Sequence, residues 1–544
     1  MKLSTFLQSK TFNSKLLTAF LSGILMGTTV APVGAWFLAW FALVPLWLIV
    51  FDDKPRKRLY LHLSLVSLAW GIGYHGTALS WITGIHPMTW MGVPWLASLG
   101  IALFCWTFIT MWGAVLVALW GMGVFSLTNK LNTLSRVIVG TALWCGLEAI
   151  WSAGPLWWTS LSYTQSPHNL VILHIGQLSG PSMVTAAIVA VNGLIAEAYK
   201  SLGEQRIRGA GENCGQVTRV KLGTVVRINP YLLPFVLFLV IHIIGWSLYS
   251  IPLNQSTTTT LKLGIVQGNI PNTIKLYPEG LRKAIAGYTR GYLDLVEQGV
   301  KAVLTPEGAL PFFQERIMAS PLVAAVKDKG VVAWIGGFAR HKDGEYTNSV
   351  FTVTGEGEIF SRYDKAKLVP IGEYVPFKEI LGGVISRLSP LKENQVHGAK
   401  NQVFDTPFGR AIVTICYESA FSERFRRQAA AGGQFILSPS NDAHYSAAMP
   451  AQHHAQDIMR AIETDRWAVR ATNTGYSAFV NPHGETLWIS GHNTYEIKAE
   501  TIYKRQTQTL YVRWGDWLTP VLLVSGGVVL ILGMSHVQVH RHRE

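Results

Sequence analysis

Unbroken apolar runs dominate the first 250 residues of the chain and return once near its end. A bilayer-spanning helix needs roughly 20 mainly apolar residues. Eight segments qualify: about 16–33, 34–51, 60–82, 95–124, 137–153, 171–198, 231–250 and 518–536. The run from Trp95 is long enough to tilt or project from the bilayer. The first run has a second directly behind it and no small-residue cleavage site between them, which disfavours a removable signal peptide. Between the seventh and eighth runs the pattern changes. Short β-branched runs such as "LKLGIVQGN", "KAVLTPEGA", "VVAWIGGFA", "NSVFTVTG", "IFSRY", "AIVTICYES" and "QFILSPSND" alternate with helical periodicity over 277–298, 321–329, 425–431 and 452–466. That order predicts an α/β fold around a mixed sheet. The expected division is a membrane domain over 1–250 with seven spans, a water-facing domain over 254–516, and an eighth span with a short tail over 517–544.

Composition supports the division. The hydrophobic fraction is 49%, charged residues make up only 14%, and there are 20 tryptophans among 544 residues, too apolar a mixture for an ordinary soluble enzyme. The basic residues outside the α/β region fall in alternate connections: Lys2, Lys10 and Lys15; "DDKPRKR"; Lys130 and Arg136; the segment 199–230; and "HRHRE". The connections "GIHPMTWMGVPW" and "GPLWWTSLSYTQSPHN" hold none. By the positive-inside rule the α/β domain lies outside the cytoplasm. Most of the net charge of +14 therefore reflects topology and calls for no nucleic-acid partner. Trp81, Trp90, Trp95, Trp157, Trp158 and Tyr163 in the outer connections read as an interfacial aromatic belt, with lipid entry as the other reading. Glu148, inside the fifth run, is a costly intramembrane charge that either serves function or pairs near a helix end.

There are four cysteines, and only Cys416 falls in the α/β domain. A thiol without an intramolecular partner in an oxidising compartment is either a buried core residue or a free reactive group. Two other strand ends carry chemistry. Glu307 follows "VLTP", and Lys365 follows "IFSRY" in "YDKAKLVPIGEYVPF". In α/β sheets, functional groups collect where strands give way to loops. A thiol near pKa 8.5 is mostly protonated at neutral pH; a carboxylate suits the removal of its proton, and an ammonium suits stabilising the thiolate and a developing oxyanion.

The stretches "TPEGAL", "YDKAKLVPIGEYVPF" and "ICYESAF" resemble the Glu-Lys-Cys triad of the carbon-nitrogen hydrolase, or nitrilase, superfamily. Together with the flanking spans, the chain is similar to the bacterial apolipoprotein N-acyltransferases over nearly its whole length. "VAPVGAWFLAWFALVPLW", "GIVQGNIP", "SPSND" and "RAIETDRWAVRATNTG" add to the likeness. The resemblance implies an αββα nitrilase-like domain on the extracytoplasmic face of the bacterial inner membrane. It makes Glu307 the general base, Lys365 the oxyanion-stabilising cation and Cys416 the nucleophile. Glu373 would assist the lysine, and Tyr417 and Glu418 would shape the pocket. It implies acyl transfer from a membrane phospholipid, through a Cys416 thioester, to the α-amino group of a diacylglyceryl-cysteine on an apolipoprotein. No cofactor or metal is expected, and the chain is expected to act as a monomer.

Two stretches depart from the family: "IPNTIKLY" has Leu276 and Tyr277 where a tryptophan commonly follows the lysine, and "SND" continues as "AHYS". Three alternatives remain at this point. One is a membrane-tethered amidohydrolase with the same triad. Another is a Cys-His enzyme using His444, His453 or His454. The last is a receptor that only binds. Adjacent histidines on a helix point in different directions and make no metal pair.

Overall fold

The structure is a computed structural model that describes residues 10–52, 59–128, 131–211, 231–253, 255–370, 372–374 and 395–541. The basic stretch 53–58, Lys130, the loop 212–230 with Cys214, and the two chain ends lie outside the described residues.

The apolar half folds into helices α1 (Lys10–Gly27), α2 (Val44–Asp52), α3 (Leu59–Ala78), α4 (Trp95–Thr128), α5 (Thr133–Ala153), α6 (Pro181–Gly211) and α7 (Leu233–Tyr249). Among the described residues, three helices are long and apolar enough to cross a bilayer: α4, α5 and the Pro181–Gly203 part of α6. Small residues bring these helices together, as they do in lipid. A Cβ on Gly23 of α1 would lie 2.1 Å from the Trp70 carbonyl oxygen of α3.

Two expected spans are not single helices. The run 34–51 is a 3-10 turn at Trp36–Trp40 followed by α2. Asn192 of α6 holds the break, donating to the Ala39 carbonyl and accepting from the Leu43 N–H, while the Trp70 indole donates to the Ala42 carbonyl. Irregular backbone persists among apolar helices only when side chains satisfy it in this way. The run 171–198 divides into short helices at Leu170–Leu173 and Gly176–Ser179 before α6, with Gly180 at φ +73° and Pro181 opening the new helix. Proline suits the first helical turn, where its missing N–H costs nothing.

The polar half is built on two six-stranded sheets, β12-β1-β2-β3-β4-β5 and β11-β10-β9-β8-β7-β6. Strands β1 (Thr260–Gln267), β2 (Ala302–Leu304) and β3 (Val332–Arg340) are parallel; β4 (Tyr346–Val353), β5 (Ile359–Asp364) and β12 (Glu496–Tyr503) pair antiparallel. In the second sheet β7 (Gly409–Val413), β8 (Ile436–Ser440) and β9 (Ala468–Thr472) are parallel, and β6 (Phe404–Thr406), β10 (Ala478–Val480) and β11 (Thr486–Ile489) extend it antiparallel.

The strand period of two sorts the side chains. Leu263, Leu304, Trp334, Val413, Leu437 and Val469 meet between the sheets, while Val266, Val303, Ile335 and Phe351 face the opposite way. There they bury the apolar stripe of α8 (Pro278–Glu297), whose Ala284, Tyr288, Tyr292 and Leu295 recur at helical spacing, and of α9 (Pro321–Lys329). Helices α10 (Ser422–Ala430) and α11 (Ala448–Thr464) cover the far side of the second sheet. The layers run α-β-β-α, and α12 (Leu518–Arg541) follows.

The aromatic outer connections do not form a belt as a set. Trp81, Trp157, Trp158 and Tyr163 are buried in the seam between the helices and the α/β layers, packed with Tyr417, Phe421 and helix α11. Trp95 alone of the six is largely exposed, at 54%. The reason is polar as well as apolar. The Trp81 and Trp158 indoles both donate to Gln452 Oε1, and Gln452 Nε2 donates to the Ala78 carbonyl. Replacing Gln452 with leucine orphans two buried indole N–H groups, at a cost of about 2–4 kcal/mol in total. A thermal scan of the detergent-solubilised variant should show a Tm several degrees below wild type.

Glu148 is likewise absorbed by structure. Its carboxylate accepts from the Trp144 indole, the Leu161 N–H and the hydroxyls of Ser160 and Thr185, so it fixes the connection after α5.

Candidate active site

Three loops leave the strand ends on one side of the two sheets and converge. The first follows β2. Thr305 Oγ1 donates to the Trp334 carbonyl and accepts from the Gly336 N–H, folding the chain back over β3. The overlap is so close that a Cβ at Gly336 would lie 2.0 Å from the Pro306 carbonyl oxygen. Glu307 follows at this turn, buried.

The second loop follows β5. Lys365 donates its main-chain N–H to the Asn348 carbonyl, and the Asn348 side chain donates to Glu307 Oε1 at 2.7 Å. One residue of β4 thus ties the lysine backbone to the glutamate side chain. Lys365 Nζ donates to Glu307 Oε1 at 2.8 Å and to Glu373 Oε1 at 2.6 Å, and Glu373 Oε2 accepts from the Val369 N–H.

The third loop follows β7. The strand stops at Val413, two residues sooner than the run "AIVTI" suggests, and Cys416 opens a 3-10 turn through Ala420. Its φ of +52° is rare for a residue with a side chain. The Asn441 main chain, just after β8, acts to lower the thiol.

Electrostatics bind the three into one unit. Burial pushes the Cys416 thiol well up, Glu307 pushes it further, and Lys365 opposes both. Burial acts to lower Lys365, but Glu307, Glu373 and the thiol outweigh it, and the ammonium is held well above its ordinary range. Glu373 is raised, chiefly by burial, with Lys365 pulling the other way. The resting sulfur is therefore a thiol awaiting a base. Its alkylation by iodoacetamide should climb about tenfold per pH unit from 7 to 9 without a plateau, since reactivity follows the thiolate fraction. A plateau near pH 7 would mean a preformed thiolate instead.

The expected supporting residues divide by role. Glu418 does not line a pocket. It is fully buried behind the site, accepting from the Ile415, Ala366 and Lys367 N–H groups and from the Tyr363 hydroxyl, and it pairs with Arg424 at 3.0 Å. Tyr417 points into the seam, where its hydroxyl donates to the Pro155 carbonyl, accepts from the Trp157 N–H, and its ring stacks on Trp158.

Several groups escaped the sequence reading. Asn348 lies in an ordinary strand pattern and carried no signal. Lys275 lies in "IPNTIKLY", directly before the divergent Leu276 and Tyr277; it is buried, donates to the Glu307 carbonyl, and is lowered to about 8, chiefly by burial. His453 and Asp442 reach Cys416 from behind. The donor atoms of these three lie within 4.8 Å of one another. Both ring nitrogens of His453 are engaged, Nε2 with the Cys416 carbonyl and Nδ1 with Asp442, so the set is a hydrogen-bonded network. His454 faces elsewhere, toward Thr486, and His444 stacks on Trp90.

The likeness seen in the motifs extends along the chain. The carbon-nitrogen hydrolase family matches residues 262–508, and the apolipoprotein N-acyltransferase N-terminal domain matches residues 22–194. Apolipoprotein N-acyltransferase of Nostoc sp. is 63% identical over 92% of this chain and 95% of its own length. The enzyme of that name from Synechocystis sp. is 47% identical over 92% and 98%, and that from Thermosynechococcus vestitus 42% over 95% and 94%. Such identity, running through the helices as well as the α/β layers, goes beyond a shared catalytic fold, and the chain belongs to the apolipoprotein N-acyltransferase family.

Proposed function

We propose that this protein transfers a fatty acyl chain from a membrane phospholipid to the α-amino group of a diacylglyceryl-cysteine at the N-terminus of an apolipoprotein, with Cys416 carrying the acyl group between them. The observation that carries the reading is the convergence of Glu307, Lys365 and the Cys416 turn beside a seam that clasps Tyr417 with the connection after α5. A water-using amidohydrolase leaves that union of pocket and membrane helices without a purpose. Both lipid substrates reach such a site without drawing acyl chains into water, a cost of about 0.8 kcal/mol per CH₂.

In the first half-reaction Glu307 takes the thiol proton as Sγ attacks the ester carbonyl. The oxyanion is met by the ammonium of Lys365 and by the Tyr417 N–H. Collapse breaks the acyl C–O bond. The leaving lysophospholipid oxygen takes the proton from Glu307, and a thioester remains. In the second half the free amine attacks the thioester, Glu307 takes the amine proton, and collapse of the C–S bond returns it to sulfur. Glu373 keeps Lys365 in place through both halves.

The membrane portion spans 1–250 with seven crossings, the catalytic domain 254–516, and the eighth crossing and tail 517–544. The catalytic domain faces away from the cytoplasm, at the outer leaflet of the inner membrane, and the chain acts as a monomer.

Exposing purified protein to phospholipid without acceptor tests the mechanism. Intact-mass measurement should show one acyl addition on wild type and none on Cys416→Ala, and an acceptor lipopeptide should discharge it. An unmodified wild type, or an equal addition on the alanine variant, would remove the thioester from the mechanism.

A further inference from the structure

His453 is a fully buried side chain of α11, and its partners define its task. Nε2 lies 2.7 Å from the Cys416 carbonyl oxygen, and Nδ1 lies 3.2 Å from Asp442 Oδ1. The carbonyl can only accept, so Nε2 is the nitrogen that donates to it. Asp442 is held in turn beside Arg470, which pairs with Asp457 at 2.6 Å. The ring is thus aimed from behind at the main chain of Cys416.

A peptide unit is planar, with its C=O and N–H directed oppositely. Fixing the carbonyl of Cys416 therefore fixes the N–H of Tyr417, which points away from His453. Among the described residues that N–H has no hydrogen-bond acceptor. Cys416 itself stands at φ +52°, a conformation that persists only where its surroundings impose it.

We propose that His453 is the positioning residue of the oxyanion site: by gripping the Cys416 carbonyl it turns the Tyr417 N–H toward the oxygen of the attacked ester. It differs from a Cys-His catalytic pair, because Nε2 is committed to the carbonyl and Glu307 keeps the role of base. The proposal rests on the thioester reading above.

The test compares two reactions of the same sulfur in the full-length enzyme. Acyl transfer passes through an oxyanion; alkylation by iodoacetamide does not. In His453→Leu, acyl transfer from phospholipid should lose about 10²–10³-fold in kcat, the effect of losing one oxyanion donor, with KM nearly unchanged. Alkylation of Cys416 at fixed pH should stay near the wild-type rate. His453→Gln, which retains an N–H donor, should recover part of the transfer rate. Parallel loss of both reactions would assign His453 to thiol activation or to folding and overturn the proposal. Unchanged transfer would overturn it as well. If the leucine variant does not fold, His453→Gln decides alone: reduced transfer with wild-type alkylation supports the proposal, and joint loss or no loss refutes it. A wild-type enzyme that alkylates but forms no thioester would instead count against the thioester mechanism, and this assignment would fall with it.

Discussion

Lys365→Met should reduce acyl transfer by at least about 10³-fold, above the usual effect of one oxyanion donor, because the ammonium has three tasks. It pairs with Glu307 at 2.8 Å and with Glu373 at 2.6 Å, and it is the cation opposing the upward push on the thiol. Without it two buried carboxylates face each other across a small gap, and one must take a proton. Glu373, already raised by burial, is the natural recipient. Cys416 then loses its electrostatic counterweight, so iodoacetamide alkylation at pH 8 should slow together with transfer, a pattern opposite to that of His453→Leu. The cost of stranding buried charge, about 3–5 kcal/mol, should also appear as a lower Tm. Lys365→Arg should not rescue, since the niche is fully buried and a guanidinium is bulkier and planar. Retention of more than a tenth of wild-type transfer in Lys365→Met would show that the lysine is not the central cation.

Glu418→Ala should be the most damaging change to the architecture of the site. The carboxylate accepts from three main-chain N–H groups and a tyrosine hydroxyl, and it offsets Arg424. Those donors belong to both the Lys365 loop and the Cys416 turn, so one side chain sets the distance between the ammonium and the thiol. Its removal leaves three peptide N–H groups without their acceptor and the part-buried Arg424 without its carboxylate partner, at about 1–3 kcal/mol for each orphaned N–H. Glu418→Gln separates charge from shape. One amide end must then present N–H groups either to the Ala366 and Lys367 amides or to the Ile415 amide, donor against donor. Thermal unfolding and transfer rates should both fall in the glutamine variant, the Tm less than in alanine. A glutamine variant with wild-type Tm and activity would show that Glu418 does not organise the two loops.

These expectations also show where local pattern was sufficient. Glu307, Lys365 and Cys416 stood out because each follows a β-branched run in the chain, and strand ends are a local property. The α/β character followed from the order of elements, whereas the αββα layering was implied by the resemblance; in the structure Leu261, Leu263 and Ile265 face the other sheet while Val266 meets α8. The positions of α4, α5, α8, α9 and α11 were legible from period and length.

Other assignments depended on partners distant in sequence. A continuous apolar run at 34–51 has no internal mark of its break, because Asn192, about 150 residues away, satisfies the exposed backbone. Tryptophans in outer connections look alike whether they meet lipid or protein; Gln452 decides for Trp81 and Trp158. Glu418 beside a nucleophile reads as a pocket residue until Tyr363, Ala366 and Lys367 are seen to surround it.

The sequence by itself determined the kind of protein: apolar runs for a bilayer, an α/β alternation for a soluble domain, and three strand ends bearing a carboxylate, an ammonium and a thiol. Only the tertiary structure decided which side chains serve which atoms, placing Asn348 on Glu307, His453 on the Cys416 carbonyl and Tyr417 in the seam. The physical reason is range. Hydrophobic periodicity acts over a few residues and is written locally, whereas hydrogen bonds and buried charges are satisfied by whatever the folded chain brings within about 3 Å.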